Sequence, residues 1–292
     1  MHDLRMFGTK LGLENPRRLA SMVDSPHKQL RFIHVAGTNG KGSVCAMLES
    51  VYREAGYRTG LFTSPHLISF RERIQVNREL ISERTVARLV SQLAESMATF
   101  PKGKTPTFFE MVVVMALCHF KEQKCDIVLW ETGMGGRLDA TNIVTPIASV
   151  ITNIGLDHTR WLGNSHAEIA KEKSGIIKNN VPVFTAAQQR AALSKIRSAA
   201  KAQNSELIEI DQSNIDFKLS LLGQHQKINA SLAKNIVNKL ESILPVTNEN
   251  IESGLRNVNW PGRMQLLNIG LQKFLLDGAH NAEGASILHQ AI

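Results

Sequence analysis

The chain has 292 residues, 43% of them hydrophobic, enough to bury one large core or two ordinary ones. No apolar run reaches the length of a membrane span, and residues 1–13 carry Asp3, Arg5 and Lys10 where a signal peptide needs an apolar core, so a cytoplasmic protein without a membrane partner is expected. The formal charge of +8 comes from Lys and Arg scattered singly and in pairs with little aromatic interleaving, which argues against nucleic acid; Cys45, Cys118 and Cys125 lack metal spacing and read as reduced thiols.

Leu4, Phe7, Leu11 and Leu13 stand near helical spacing, interrupted by Gly8 and Gly12. A second short helix is expected from Pro16 to Met22, and a loop from Val23 to Gln29. Arg31 to Ala36 then reads as a buried strand, and Val44, Ala46, Met47, Leu48 and Val51 give a helix from Ser43. Between them lies Gly37-Thr38-Asn39-Gly40-Lys41-Gly42-Ser43. Gly37, Gly40 and Gly42 are free to take positive φ and let backbone N–H groups converge. A helix N-terminus begins there and favours an anion; Lys41 adds a charge and Ser43 a hydroxyl able to ligate Mg²⁺. The turn reads as a phosphate cradle, although the strict P-loop pattern fails: Val35 stands five before Gly40, and Gly42 separates Lys41 from Ser43. The same residues also fit a plain glycine-rich turn with one exposed lysine.

Thr59 to Thr63 is a second strand, left through Ser64-Pro65-His66, and Leu67 to Arg78 is an arginine-rich loop without a clear period. Ser82 and Glu83 open a helix through Met97, and residues 101–106 form a basic connection. Thr107 with Glu110 has capping-box spacing; Met111, Val112, Met115, Ala116 and His119 follow as a core stripe. Asp126 to Trp130 is a strand buried on both faces. It runs into Glu131-Thr132-Gly133-Met134-Gly135-Gly136-Arg137-Leu138-Asp139-Ala140-Thr141-Asn142, where Glu131 is placed to hold Mg²⁺ or, more simply, to sit solvated beside a turn.

Ile147 to Thr152 is a further strand, followed by Gly155-Leu156-Asp157-His158-Thr159, and His166 to Ser174 is a helix stopped by Gly175. Lys171 and Lys173 read from spacing alone as a solvated face. Val181 to Thr185, Ala187 to Ala202 and Leu207 to Ile210 give strand, helix and last parallel strand. The whole is an α/β chain with a doubly wound, mostly parallel sheet, and Gly37–Ser43, Ser64, Glu131 and His158 each follow a strand. Gly223 opens a helix to Leu240, Thr247 to Leu255 is another, and Trp260-Pro261-Gly262-Arg263 marks a boundary. Residues 1–261 are expected to form one domain that carries the phosphate turn, and residues 262–292, with a strand Phe274 to Leu276 entering Asp277-Gly278-Ala279-His280-Asn281, the start of a second.

The string G-T-N-G-K-G-S resembles the P-loop variant of the Mur ligase superfamily. With T-S-P-H-L, R-E-R-I and E-x-G-x-G-G-R-L-D-A-T-N, the chain resembles the folylpolyglutamate synthase/dihydrofolate synthase branch. That resemblance implies an ATP-dependent ligase joining L-glutamate to a dihydropteroate or folate carboxylate through an acyl phosphate. It implies ATP at Gly37, Thr38, Asn39, Gly40, Lys41, Gly42 and Ser43, with Asn229 and His280 as nucleotide neighbours, Arg263 reaching the phosphates and Asp277 as a ribose-type carboxylate. One or two Mg²⁺ ions are implied at Ser64, Glu131 and His158, and at Lys173 carbamylated to an oxygen ligand; Lys41, His158 and Lys173 are the catalytic set. The Leu67–Arg78 loop would help hold the pterin; Arg78 stands where the family commonly has Gly, and Ala282 where it often has Pro. The family continues past D-G-A-H-N, whereas this chain ends at Ile292, so weak or absent turnover is expected for it alone. The alternatives are a catalytically weak nucleotide-binding module or another Mur-type amino acid ligase. A monomer is expected.

Overall fold

A computed structural model of the chain describes residues 12–212 and 217–292. The helical pattern read over residues 3–11 lies outside the described residues. Helix α1 (Glu14–Ser21) and a 3₁₀ turn over Pro26–Gln29 precede strand β1 (Phe32–Ala36). Then follow α2 (Lys41–Glu54), β2 (Thr59–Phe62), β3 (Ile74–Val76), β4 (Glu79–Leu80), α3 (Glu83–Met97), α4 (Phe108–Glu122) and β5 (Ile127–Glu131). The chain goes on through β6 (Ala148–Ile151), α5 (Thr159–Leu162), α6 (His166–Lys173), β7 (Val183–Thr185), α7 (Arg190–Ala202) and β8 (Leu207–Glu209). Helices α8 (Gln224–Lys239) and α9 (Asn248–Asn257), the hairpin β9 (Gln265–Ile269) and β10 (Gln272–Leu276), and α10 (Ala282–Ala291) complete it.

Among the described residues, eight strands form one sheet in the order β4-β3-β2-β5-β1-β6-β7-β8. From β2 to β8 every pairing is parallel; β3 and β4 add an antiparallel edge. Strand β1 lies between β5 and β6, and the chain leaves it in one direction for β2 and returns to its other side for β6. That reversal opens a crevice beyond the carboxyl ends of β5, β1 and β6, where loops rather than crossing helices meet.

The sheet is covered on both faces, which is why β1 and β5 are buried at every position. On one face α2, α8 and α9 bury Val44, Met47, Val51, Ile236, Ile251 and Leu255. On the other, α1, α3 and α4 close over Phe62, Phe120 and Trp130; the Trp130 ring meets Phe32 edge-on at 5.5 Å. A smaller cluster under α6 and α7 holds Ile151, Ile169 and Ile196. Each such aliphatic contributes about 1.5–3 kcal/mol on burial. Among the described residues the chain adds no strand to the main sheet after β8, and beyond Pro261 β9 and β10 pair with each other.

Several expectations change, among them a 3₁₀ turn over Pro26–Gln29 inside the expected loop and a first helix that starts at Glu14 rather than Pro16. The 67–78 segment is not an unstructured loop. Glu72 accepts the backbone N–H groups of Leu67, Ile68 and Ser69, and so folds a capped 3₁₀ turn over Phe70–Arg73 that feeds β3. Gly42 does not take positive φ: α2 already starts at Lys41, and Gly42 is small because Trp260 lies against it. Helix α7 begins at Arg190 rather than Ala187, whose N–H donates to Thr185 Oγ1 instead.

Helix α9 approaches α2 closely at Gly254, where an added Cβ would come within 2.5 Å of the Val51 Cα. Ser50 Oγ donates to the Gly254 carbonyl at 2.8 Å, fixing that approach. Gly254→Val is expected to destabilise the fold by about 2–3 kcal/mol, read as a lower urea midpoint; an unchanged midpoint would contradict this packing.

Candidate active site

Strand β1 is followed by Gly37, whose φ of +154° and lack of a Cβ let Thr152 Oγ1 occupy the space beside it. The turn is then pinned to the loop after β6. Thr38 N–H donates to the Asn153 carbonyl at 3.0 Å, Asn39 N–H to Asn153 Oδ1 at 2.7 Å, and Thr152 Oγ1 to the Asn39 carbonyl at 2.6 Å. Gly40, at φ +81°, caps α2. Asn229 packs against Gly40, and Gln226 Nε2 donates to Ser43 Oγ at 3.3 Å, so α8 braces the cradle from behind.

Two ammonium groups converge on this turn. Lys41 Nζ donates to the carbonyls of Gly37 and Thr38, both at 3.1 Å. Lys173 Nζ, brought by the end of α6, donates to the Gly37 carbonyl at 2.7 Å. Lys173 is buried, and burial together with the nearby Lys41 lowers its pKa to about 7. Across the crevice, Glu131 sits buried at the end of β5, its Oε2 accepting the Ser64 N–H at 2.9 Å. Burial raises its pKa, while Lys41 and that N–H oppose the rise.

A cavity of about 170 Å³ gathers Thr38, Asn39, Gly40, Lys41, Gly42, Ser43, Ser64, Glu131, His158, Arg263, Asp277 and His280. Of the residues expected at the site, Gly37 and Lys173 lie just behind this wall. Asn229 lines an adjoining cavity of about 240 Å³ and donates to Gln226 Oε1. Asp277 accepts the N–H groups of Met264 and Ala279 at 2.8 and 2.7 Å, tying the two ends of the hairpin. His158 is half exposed with left-handed backbone, its Nε2 3.9 Å from Asp157.

The described residues hold no cluster of three His, Cys, Asp or Glu for a metal. One buried carboxylate flanked by Ser43, Ser64 and His158 suits Mg²⁺, which keeps waters and takes phosphate oxygens rather than an all-protein cage.

Several contacts were not read from the sequence. Asn39 and Asn281 exchange side-chain hydrogen bonds at 3.0 and 3.3 Å, and Glu283 accepts from Asn39 at 3.0 Å. Asn281 also donates to Asp157 at 2.9 Å. Asn281 closes the D-G-A-H-N string, and that was the available signal; nothing local marks Glu283. Beneath the glycine-rich loop, His34 Nε2 lies 2.9 Å from Thr141 Oγ1, which donates to Asp139. With that hydroxyl proton committed, His34 must be the donor from Nε2.

A doubly wound sheet with a glycine-rich phosphate turn and a buried carboxylate on the neighbouring strand defines a P-loop nucleotide enzyme of Mur-ligase type. The Mur ligase middle domain matches residues 35–184. The dihydrofolate synthase/folylpolyglutamate synthase of Bacillus subtilis is 39% identical, over 100% of this chain and 74% of that protein. The Thermotoga maritima folylpolyglutamate synthase structure superposes with a TM-score of 0.89 at 34% identity, covering 99% of this chain and 72% of that one. Escherichia coli FolC, solved with DHPP and ADP, gives 0.88 at 31%, covering 99% and 72%. The chain belongs to the folylpolyglutamate synthase/dihydrofolate synthase family of Mur ligases.

Burial, with Lys178 nearby, holds the His34 pKa at about 3, below its ordinary 6.5. Between those values the unfolded chain binds a proton that the folded one refuses, so stability rises with pH and is lost as pH falls from 6.5 toward 3. His34→Gln removes this dependence. The urea-midpoint difference between the two proteins should narrow as pH drops from 7 to 4; a constant difference would contradict a buried neutral His34.

Proposed function

We propose that this chain carries ATP-dependent ligation of L-glutamate to the carboxylate of dihydropteroate, of a folate, or of both. The observation behind the reading is the convergence of Lys41, Ser43, Glu131 and His158 in one cavity, although β1, β5 and β6 deliver them from distant parts of the sequence. The B. subtilis relative named dihydrofolate synthase/folylpolyglutamate synthase, and E. coli FolC solved with DHPP and ADP, support it.

The triphosphate enters at the α2 N-terminus, where backbone N–H groups and Lys41 meet it. Lys41 then exchanges the Gly37 and Thr38 carbonyls for phosphate oxygen, and Arg263 faces the same charge from the opposite wall. Ser43, Ser64, Glu131 and His158 would hold Mg²⁺, which when bound neutralises charge on the transferring phosphoryl group. The acceptor carboxylate attacks the γ-phosphorus, giving an acyl phosphate and ADP; the glutamate amine then displaces phosphate. The work of the protein is positioning and electrostatics.

The acceptor ring has a place beside this cavity. Pro65, Leu67, Ile68, Leu80 and Trp260 wall an apolar space of about 360 Å³ that shares Arg263 and His280 with the phosphate cavity. An aromatic acceptor there directs its carboxylate to the shared residues. Residues 1–261 act as the ATP-binding unit and residues 262–292 as part of a second. Lys173, with a pKa near 7, carries enough neutral amine to add CO₂ and become an anionic carbamate.

Phosphate release with ATP, Mg²⁺ and glutamate, comparing dihydropteroate with tetrahydrofolate, tests the reading. Release with at least one acceptor, even if slow, supports the reading; none with either, while ATP still binds, would contradict it and favour the nucleotide-binding module. Incubation with ¹³C-bicarbonate should give a carbamate carbon signal that Lys173→Gln abolishes; a signal that survives in the variant would exclude Lys173.

A further inference from the structure

We infer that Arg78 is a positioning residue that clamps the Asn259–Arg263 junction to the P-loop helix and thereby holds Arg263 at the phosphate cavity. The inference rests on the ATP reading above. Arg78 and Asn77 form the two-residue turn between β3 and β4, and both are left-handed, at φ +68° and +49°. Glycine adopts that conformation without strain, as a long side chain does not. Asn77 is tied locally, its Oδ1 accepting the Thr59 N–H at 2.8 Å. Arg78 reaches out of the turn instead.

Its Nη2 donates to the Asn259 carbonyl at 2.5 Å, and its guanidinium lies 5.3 Å from the centre of the Trp260 ring. Its Nε stands 3.8 Å from Glu49 Oε2. Glu49 is 1% exposed and belongs to α2. The other groups on that carboxylate are Arg53, at 3.0 Å, and the Thr59 hydroxyl, at 2.9 Å. Trp260 meets α2 as well: a Cβ on Gly42 would come within 3.1 Å of its ring. Gly42 and Glu49 are seven residues apart, two turns along one helix face. The junction therefore grips the P-loop helix at two points on that face, through Trp260 on Gly42 and through Arg78 on Glu49. Three residues past Trp260, Arg263 lines the phosphate cavity with Lys41 and Glu131, whereas neither Arg78 nor Trp260 does. Arg78 acts on the phosphates only through the segment it holds.

Arg78→Gly tests this, because glycine suits the turn, and titrating nucleotide without acceptor keeps the acceptor space that Arg78 also lines out of the readout. Isothermal titration of ATP and ADP against wild type, Arg78→Gly, Arg263→Gln and the double variant reads the coupling. A charge-assisted contact is at stake, so each single variant should weaken both nucleotides about tenfold. The double variant should be no weaker than Arg263→Gln, and Arg78→Lys should fall between. Unchanged affinity in Arg78→Gly, or losses that add in full, would overturn the proposal. If Arg78→Gly does not fold, Glu49→Gln cuts the same clamp, leaves the turn sequence intact and should weaken ATP in the same direction. If wild type binds no ATP, the nucleotide reading fails. The clamp is then judged by amide exchange at residues 259–263, which should be faster in the variant, and equal rates would overturn it.

Discussion

The carbonyl oxygen of Gly37 receives two ammonium groups, Lys173 at 2.7 Å and Lys41 at 3.1 Å, and the rest of the site follows from that crowding. Burial disfavours a charged amine and the like charge of Lys41 adds to that, so Lys173, the more enclosed, has its pKa lowered. Lys41 keeps company with Glu131, whose carboxylate it steadies against the effect of burial. Among the described residues, the two ammonium groups donate to backbone carbonyls, with the carboxylates of Glu131, Asp157 and Asp139 acting on them from nearby. In the proposed reading, a polyphosphate replaces those carbonyls by exchange of contacts, without rebuilding the fold.

The sheet makes that arrangement obligatory. With β1 between β5 and β6, the turn after β1 has the ends of those two strands as its neighbours along the sheet. The first supplies Glu131, the second Thr152, Asn153 and His158. Thr152 and Asn153 lock the cradle from one side, and α8 locks it from the other through Gln226 and Asn229. The D-G-A-H-N segment then closes the front by pairing Asn281 with Asn39 and Asp157. Each of these partners is polar and at least partly buried, so an unpaired one carries a desolvation penalty, and the turn has little freedom to relax.

Much of this was legible in the sequence because it is local. The strand-turn-helix around Gly37–Ser43 and the helix starts at Ser82 and Thr107 follow from periodicity and capping, and Ser82 and Thr107 cap as read. The segment after Ser64 was not legible. Its 3₁₀ turn is held by one carboxylate, Glu72, accepting from three backbone N–H groups, and β3 and β4 are too short to show a period. Gly42 illustrates another limit: its smallness serves Trp260, 218 positions later, and not a special φ. The links from Glu283 to Asn39 and from His34 through Thr141 to Asp139 depend on which loops the topology brings together, which no local pattern encodes.

A crystal structure of the chain with a non-hydrolysable ATP analogue and Mg²⁺ tests the central claim most directly. The account predicts that Lys41 Nζ leaves the Gly37 and Thr38 carbonyls for the terminal phosphates, that Glu131 turns from the Ser64 N–H to the ion, and that the turn backbone stays in place. An analogue bound away from Gly37–Ser43, or Lys41 still on the carbonyls with the phosphates present, would contradict it.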